Sequence, residues 1–196
     1  TPQAFQRNPR LVWEWYTWRR ELVAQAKPNL AHLALAEMQA RITELTLITQ
    51  NVDGLHQQAG SQHVIELHGN IMRTKCLENE HLVAAWPPTA EVPPRCPECG
   101  ALLRPDVVWF GENLPVPAYQ QALAAACQCD LFFSIGTSSL VYPAATLPLE
   151  ACNATLVEIN LNSTQLTPSV HFALYGPAGQ ILPALVSLAW PKKGGF

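Results

Sequence analysis

The chain has 196 residues, of which 48% are hydrophobic and 14% charged, and its formal net charge is −3. That is enough apolar material for one folded domain with a small insertion, and it excludes a disordered chain. Without a basic block or a long apolar run, the chain is suited neither to an electrostatic nucleic-acid footprint nor to crossing a bilayer.

The N-terminal stretch "TPQAFQRNPR" lacks the layout of a secretory signal, so a cytosolic setting is the expectation. Residues 9–27 then read as a helix. Pro9 suits a first turn, and Leu11, Trp15, Trp18 and Leu22 recur at helical spacing. That stripe is expected to pack, with Arg20 an ordinary exposed charge. Tyr16 and Arg19 lie about 100° round from it, on one face. Pro28 stops this helix, and Asn29 is a plausible N-cap for a second, "LAHLALAEMQAR".

Three short apolar runs follow: "LTLIT" (45–49), "LFFSIG" (131–136) and "TLVEIN" (155–160). Runs of this kind suit strands buried on both faces of a parallel sheet. "PAYQQALAAAC" (117–127) reads as a helix entering the second strand, and "GTSSLVYPAATLPLEACN" as a loop and helix leaving it. This is βαβ organisation, hence an α/β fold with a parallel sheet. Residues 72–104 differ: "WPPTAEVPPRCPECG" is too proline-rich for a helix or a central strand. They read as a small module inserted between 1–71 and 105–190, with 191–196 as a tail.

Ligands of open parallel sheets bind beyond the carboxyl ends of the strands. The three runs are followed by "QNVDGLH", "GTSS" and "NLN", which are mostly neutral hydrogen-bonding groups. Such groups suit ribose hydroxyls and phosphate oxygens, although strand-to-helix loops are polar in any case. No GxGxxG or GxxxxGK[ST] loop is present. In "ELHG", His68 could serve as a general base, while Gly69 permits close approach of backbone or ligand. His56, His63 and His81 carry no such pointer.

Of the six cysteines, Cys96 and Cys99 form a "CPEC" knuckle at zinc spacing, and Cys76 lies at a suitable distance. Asn79 stands where a second CxxC would place its thiol, and Glu78, Glu80 or His81 could supply a fourth ligand. Cys127, Cys129 and Cys152 read as buried apolar residues.

Taken in order, "TQNVDGLH", "ELHG", "C…CPEC", "LRPDVVWFGE", "GTSSLVYPAA", "EIN" and "GPAG" resemble the sirtuin family of NAD-dependent protein deacylases. The resemblance spans roughly residues 1 to 188. It implies a Rossmann-like domain carrying a zinc-ribbon-like module. It implies a reaction that takes an acyl group from lysine and yields nicotinamide and O-acyl-ADP-ribose. By resemblance, Gln50, Asn51, Val52 and Asp53 line the nicotinamide and ribose pocket, and His68, with Asn51, is catalytic. Gly136, Thr137, Ser138, Asn160, Leu161, Asn162 and Ala178 hold the rest of NAD. Val108, Trp109, Phe110, Gly111, Glu112 and Val141 line an extended acyl-lysine peptide. Cys76, Cys96 and Cys99 hold a structural Zn²⁺, lacking the family's fourth thiol.

One branch of the family, class III, carries a tyrosine and an arginine at the "YxxR" spacing of Tyr16 and Arg19, where they bind succinyl or malonyl carboxylates. The expected substrates are therefore proteins carrying succinyl- or malonyl-lysine, and also acetyl-lysine, met by a monomer. The family's glycine-rich turn and arginine-bearing cofactor loop have no counterpart in these residues. A missing N-terminal strand, poor NAD binding and little activity are therefore expected of this chain alone. The alternative reading is a non-catalytic peptide-binding remnant. A mono-ADP-ribosyltransferase finds no support in these residues.

Overall fold

The computed structural model describes residues 1–191, so most of the tail assigned to 191–196 lies outside the described residues. In chain order the elements are α1 (Pro2–Arg7), α2 (Pro9–Gln25), α3 (Leu30–Arg41), β1 (Ile48–Thr49), α4 (Leu55–Gln58), β2 (Ile65–Glu66) and β3 (Gly69–Cys76). They continue with β4 (Leu103–Val107), α5 (Val116–Gln128), β5 (Leu131–Ile135), α6 (Leu147–Glu150), β6 (Thr155–Asn160), β7 (Phe172–Tyr175) and α7 (Ala178–Ala189). No helix is long and apolar enough to cross a membrane, among the described residues. Two compact units are distinguished. The first comprises Thr1–Ala26, Thr49–Gly54 and Glu66–Pro115; the second comprises Lys27–Ile48, Leu55–Ile65 and Val116–Phe196.

In the first unit, α2 is capped by the Asn8 side chain, which accepts from the Leu11 N–H, and Pro9 opens its first turn. β3 and β4 form an antiparallel ladder whose register shifts between Asn70 and Thr74. This bulge removes the Ile71 and Arg73 carbonyls from the ladder. Arg20 on α2 takes them up: its Nε donates to the Ile71 carbonyl at 2.5 Å and its Nη2 to the Arg73 carbonyl at 2.7 Å. Arg20 is therefore a half-buried structural residue rather than an exposed charge.

The expected tryptophan stripe is likewise corrected. Leu11, Trp15, Trp18 and Leu22 are 60%, 45%, 52% and 47% exposed. The packing face lies one position on. Val12, Tyr16 and Val23 join Phe5, Ile71, Val107 and Trp109 in the core, and Trp13 packs with Cys76 and Val83. Both stripes have helical spacing, so periodicity could not separate them. The buried one looked less apolar because Arg20 occupies it.

The second unit has a three-stranded parallel sheet in the order β5-β6-β7. The runs at 131–135 and 155–160 are thus neighbouring strands, and β7, "FALY", escaped the sequence reading. The run "LTLIT" does not join this sheet. Only Ile48–Thr49 is strand, paired with β2. α3 and α7 cover one face of the sheet through Ala31, Ala34, Met38, Leu182 and Val186, packed with Val157 and Ile159. Cys127 and Cys152 are exposed and Cys129 is half-buried, so these thiols are not core residues as expected. Cys127 lies on the outer side of α5 and Cys152 in a turn, while Cys129 packs at the edge of the Ala151–Ala154–Leu156 cluster.

Candidate functional site

His68 lies in the first unit, immediately before β3. Its Nδ1 is 3.0 Å from the Gln50 carbonyl. A carbonyl only accepts, so Nδ1 carries the proton and the Nε2 lone pair is the basic end of the ring. The neighbouring backbone is closely fitted. The His68 carbonyl accepts from the Val108 N–H at 3.0 Å, and the Val52 carbonyl accepts from the Ile71 N–H at 2.8 Å. Gly69 has φ +77°, and a Cβ there would lie 2.2 Å from the Asp106 carbonyl oxygen. The close approach inferred from "HG" is therefore to backbone. Gln50, in contact with His68, and Val52 and Asp53 after it are half-buried, while Asn51 is exposed.

A pocket of about 470 Å³ opens in this same unit, lined by Leu11, Val12, Trp15, Tyr16, Val108, Trp109 and Phe110, among others. Two exposed stripe residues, Leu11 and Trp15, are thus walls of a cavity. The Tyr16 hydroxyl accepts from the Trp109 Nε1–H at 3.0 Å, which leaves its own proton for an acceptor. Burial raises the Tyr16 phenol above its ordinary pKa, against the Trp109 hydrogen bond and the charges of Arg104 and Arg19. The phenol is therefore a neutral donor at physiological pH. Arg19 does not line the pocket; its guanidinium lies 5.2 Å over the Trp15 ring.

Sequence reasoning missed what holds this wall. Arg104 is 3% exposed. It donates twice to Glu112, at 2.5 and 2.8 Å, and once to the Val107 carbonyl at 2.9 Å. Its Cζ sits 3.4 Å from the Trp109 ring centroid. Glu112 also accepts from the Trp109 N–H at 2.8 Å. Burial works against the Glu112 carboxylate, but Arg104 and the Trp109 N–H outweigh it and hold its pKa below the usual value. Glu112 thereby braces the 108–112 turn, and Gly111, at φ +92°, supplies its left-handed corner. Both partners occur in "LRPDVVWFGE", but nothing in that string announces that they pair.

The second unit gathers Gly136, Thr137, Ser138, Asn160 and Asn162 around a pocket of about 560 Å³ at the carboxyl ends of β5 and β6. Asn160 Nδ2 donates to the Thr137 carbonyl at 2.7 Å, tying the two strand ends together. Gly136, at φ +61°, turns the chain there, with space around the position a Cβ would take. Glu158 is 1% exposed. It accepts from the Thr164 and Thr167 hydroxyls and so anchors the loop that supplies Thr164 to the pocket. Neutral hydroxyls and amides at the ends of parallel strands fit a nucleotide ribose and phosphates. Leu161 and Val141 are exposed beside these loops, and Ala178 opens α7, packed on its core.

In the inserted segment, the Cys76, Cys96 and Cys99 sulfurs lie within 4.8 Å of one another. Burial disfavours the Cys76 thiolate, but N–H groups of Asn79 and Glu78 and the neighbouring thiols favour it, and its pKa falls below the ordinary thiol value. Cys99 receives an N–H bond from Ala101, yet shared protons and repulsion from Cys76 leave its pKa raised. Backbone N–H groups aimed at clustered sulfurs suit thiolates, so this cluster could hold a zinc ion.

The Sir2 family profile matches residues 1–143. A protein of Pyrobaculum aerophilum named NAD-dependent protein deacylase 2 is 48% identical over 95% of this chain and 76% of its own length. One of Pseudomonas aeruginosa named NAD-dependent protein deacylase 1 is 45% identical over 97% of this chain and 80% of its own. A solved Sir2 homologue–NAD complex superposes with a TM-score of 0.90 at 42% identity, covering 96% of this chain and 75% of that one. A Sir2 bound to acetylated peptide gives 0.83 at 32% identity, covering 95% and 81%. The Rossmann-like α/β fold is shared with these structures, and the chain belongs to the Sir2 family.

Proposed function

We propose that this protein is an NAD-dependent protein-lysine deacylase with a preference for acidic acyl groups. The hydrogen bond from His68 to the Gln50 carbonyl carries the reading, because it leaves Nε2 as a base. NAD, when bound, supplies an activated ribose carbon and a ribose hydroxyl that accepts the acyl group. His68 Nε2 takes the proton from that hydroxyl. Asn51, Gln50 and Asp53 orient the nicotinamide ribose. Thr137, Ser138, Asn160 and Asn162 hold the adenosine end through neutral hydrogen bonds.

The acyl-lysine peptide uses the main chain of 108–112, and its acyl group enters the aromatic pocket beside Tyr16. There the free phenolic proton meets an acyl carboxylate. Arg19, half-buried about three turns into α2 and stacked on the wall residue Trp15, supplies the charge by swinging off that ring. A guanidinium left without its carboxylate penalises a plain acetyl chain.

The intact protein is to be incubated with NAD and matched succinyl- and acetyl-peptides, following nicotinamide and free lysine. The expected result is release of both with succinyl ahead of acetyl, and loss of turnover by about 10²–10⁴-fold in His68→Ala. NAD left unconsumed, or a His68→Ala variant as fast as the parent, overturns the deacylase reading. A succinyl-to-acetyl ratio unmoved by Arg19→Met overturns only the acyl preference.

A further inference from the structure

Three thiols leave a tetrahedral zinc one ligand short, and the nearby groups that could complete it differ sharply in placement. Glu78 and Asn79 direct backbone N–H groups at the Cys76 sulfur, while their side chains are exposed. The Glu80 side chain is 75% exposed, 4.0 Å from Lys75 Nζ. His81 is different. Glu80 takes a left-handed turn at φ +56°, and the chain returns antiparallel to β3. The Cys76 N–H then donates to the His81 carbonyl at 3.0 Å, and the Val83 N–H to the Thr74 carbonyl at 2.8 Å. This bridge sets His81 beside Cys76 and brings its Nε2 to 3.5 Å from Cys96 Sγ. Cys76 Sγ and Cys99 Sγ are also 3.5 Å apart.

Zinc ligated at about 2.3 Å by sulfur and about 2.0 Å by nitrogen has tetrahedral edges near about 3.8 Å for S···S and about 3.5 Å for S···N. The S···N contact at 3.5 Å matches its edge, and the S···S contact at 3.5 Å is somewhat shorter than its own. The ring meets the sulfur set at Cys96 and stands outside the three-thiol group itself, and its partly exposed side chain is free of the close packing that would fix it there. Glu98, 73% exposed and 3.5 Å from the same Nε2, competes for that atom only from the solvent side.

We propose that His81 is the fourth ligand of a Cys₃His zinc site formed with Cys76, Cys96 and Cys99, the C-x₄-H spacing replacing a second CxxC. Neutral imidazole in place of a fourth thiolate leaves the site one negative charge lower than an all-thiolate one.

The test is metal content and X-ray absorption of the whole protein, with Co²⁺ substitution as a second readout. One zinc per chain with three sulfurs and one nitrogen is expected. His81→Ala should weaken zinc retention against a chelator by more than the roughly 10–100-fold typical of outer-shell changes. His81→Cys should restore retention with four-sulfur scattering and stronger thiolate-to-cobalt absorption, which guards against a variant that merely unfolds. Glu98→Gln should leave both readouts unchanged. The proposal is overturned by unchanged retention in His81→Ala, by three sulfurs with an oxygen fourth ligand in the parent, or by dependence on Glu98.

Discussion

The two units solve the same problem differently. The second is held by apolar layers: α3 and α7 over a three-stranded parallel sheet, with Ile159 and Leu182 fully buried. The first has a small apolar core around Phe5 and Trp109, and much of its geometry is set by directed polar contacts. Arg104 clamps Glu112, Arg20 closes a bulge, and thiols cluster in a proline-rich loop. Hydrophobic burial is non-directional and tolerates substitution of similar volume, whereas an ion pair out of water fails when one partner goes. The unit carrying His68 and the aromatic pocket is therefore the more brittle of the two.

Arg104→Ala tests that contrast hardest. It should cost about 3–5 kcal/mol, because Glu112 is left partly buried without its partner. Urea midpoints read the effect, and adding Glu112→Gln to Arg104→Met should recover part of it. Were the double variant no better than the single, the orphaned charge would not be the cause. In the other unit, Leu182→Ala should cost about 2–5 kcal/mol through a cavity, with Leu182→Met nearly silent. Gly69→Ala should cost about 2 kcal/mol or more, since its Cβ meets the Asp106 carbonyl and φ is left-handed.

Acid sharpens the comparison further. The folded pKa of Glu112 lies below its unfolded value, so its contribution is fully present above about pH 4.3 and is lost as pH falls through the folded value. The Trp109 indole NMR signal should shift there before amides of β5 and β6 do. Trp18→Ala, on the exposed side of α2, should change stability by no more than about 0.5 kcal/mol. A larger loss would mean that this face is covered.

Much of the second unit was legible from sequence. Continuous apolar runs at 131–136 and 155–160 mark neighbouring parallel strands, although only β6 is buried along its length while β5 is mostly half-buried with Leu131 exposed, and the polar groups after them mark the ligand end. β7 was missed because "FALY" is short and its two end residues are exposed. The run "LTLIT" misled because apolarity specifies burial but not which strand becomes the partner. In the first unit, the motif residues were visible while their supports were not. Tyr16 could be singled out by spacing, but its acceptance of the Trp109 N–H spans ninety-three positions of chain.

The sequence by itself determined the fold class, the cysteine cluster and the order of family motifs, because those depend on residue type and local spacing. Only the tertiary structure decided which face of α2 is buried, that Glu112 is a brace, and that His81 comes beside Cys96. Each depends on where a bulge or a left-handed turn sends the backbone, and a few tens of degrees in φ at such a position change which distant side chains can meet.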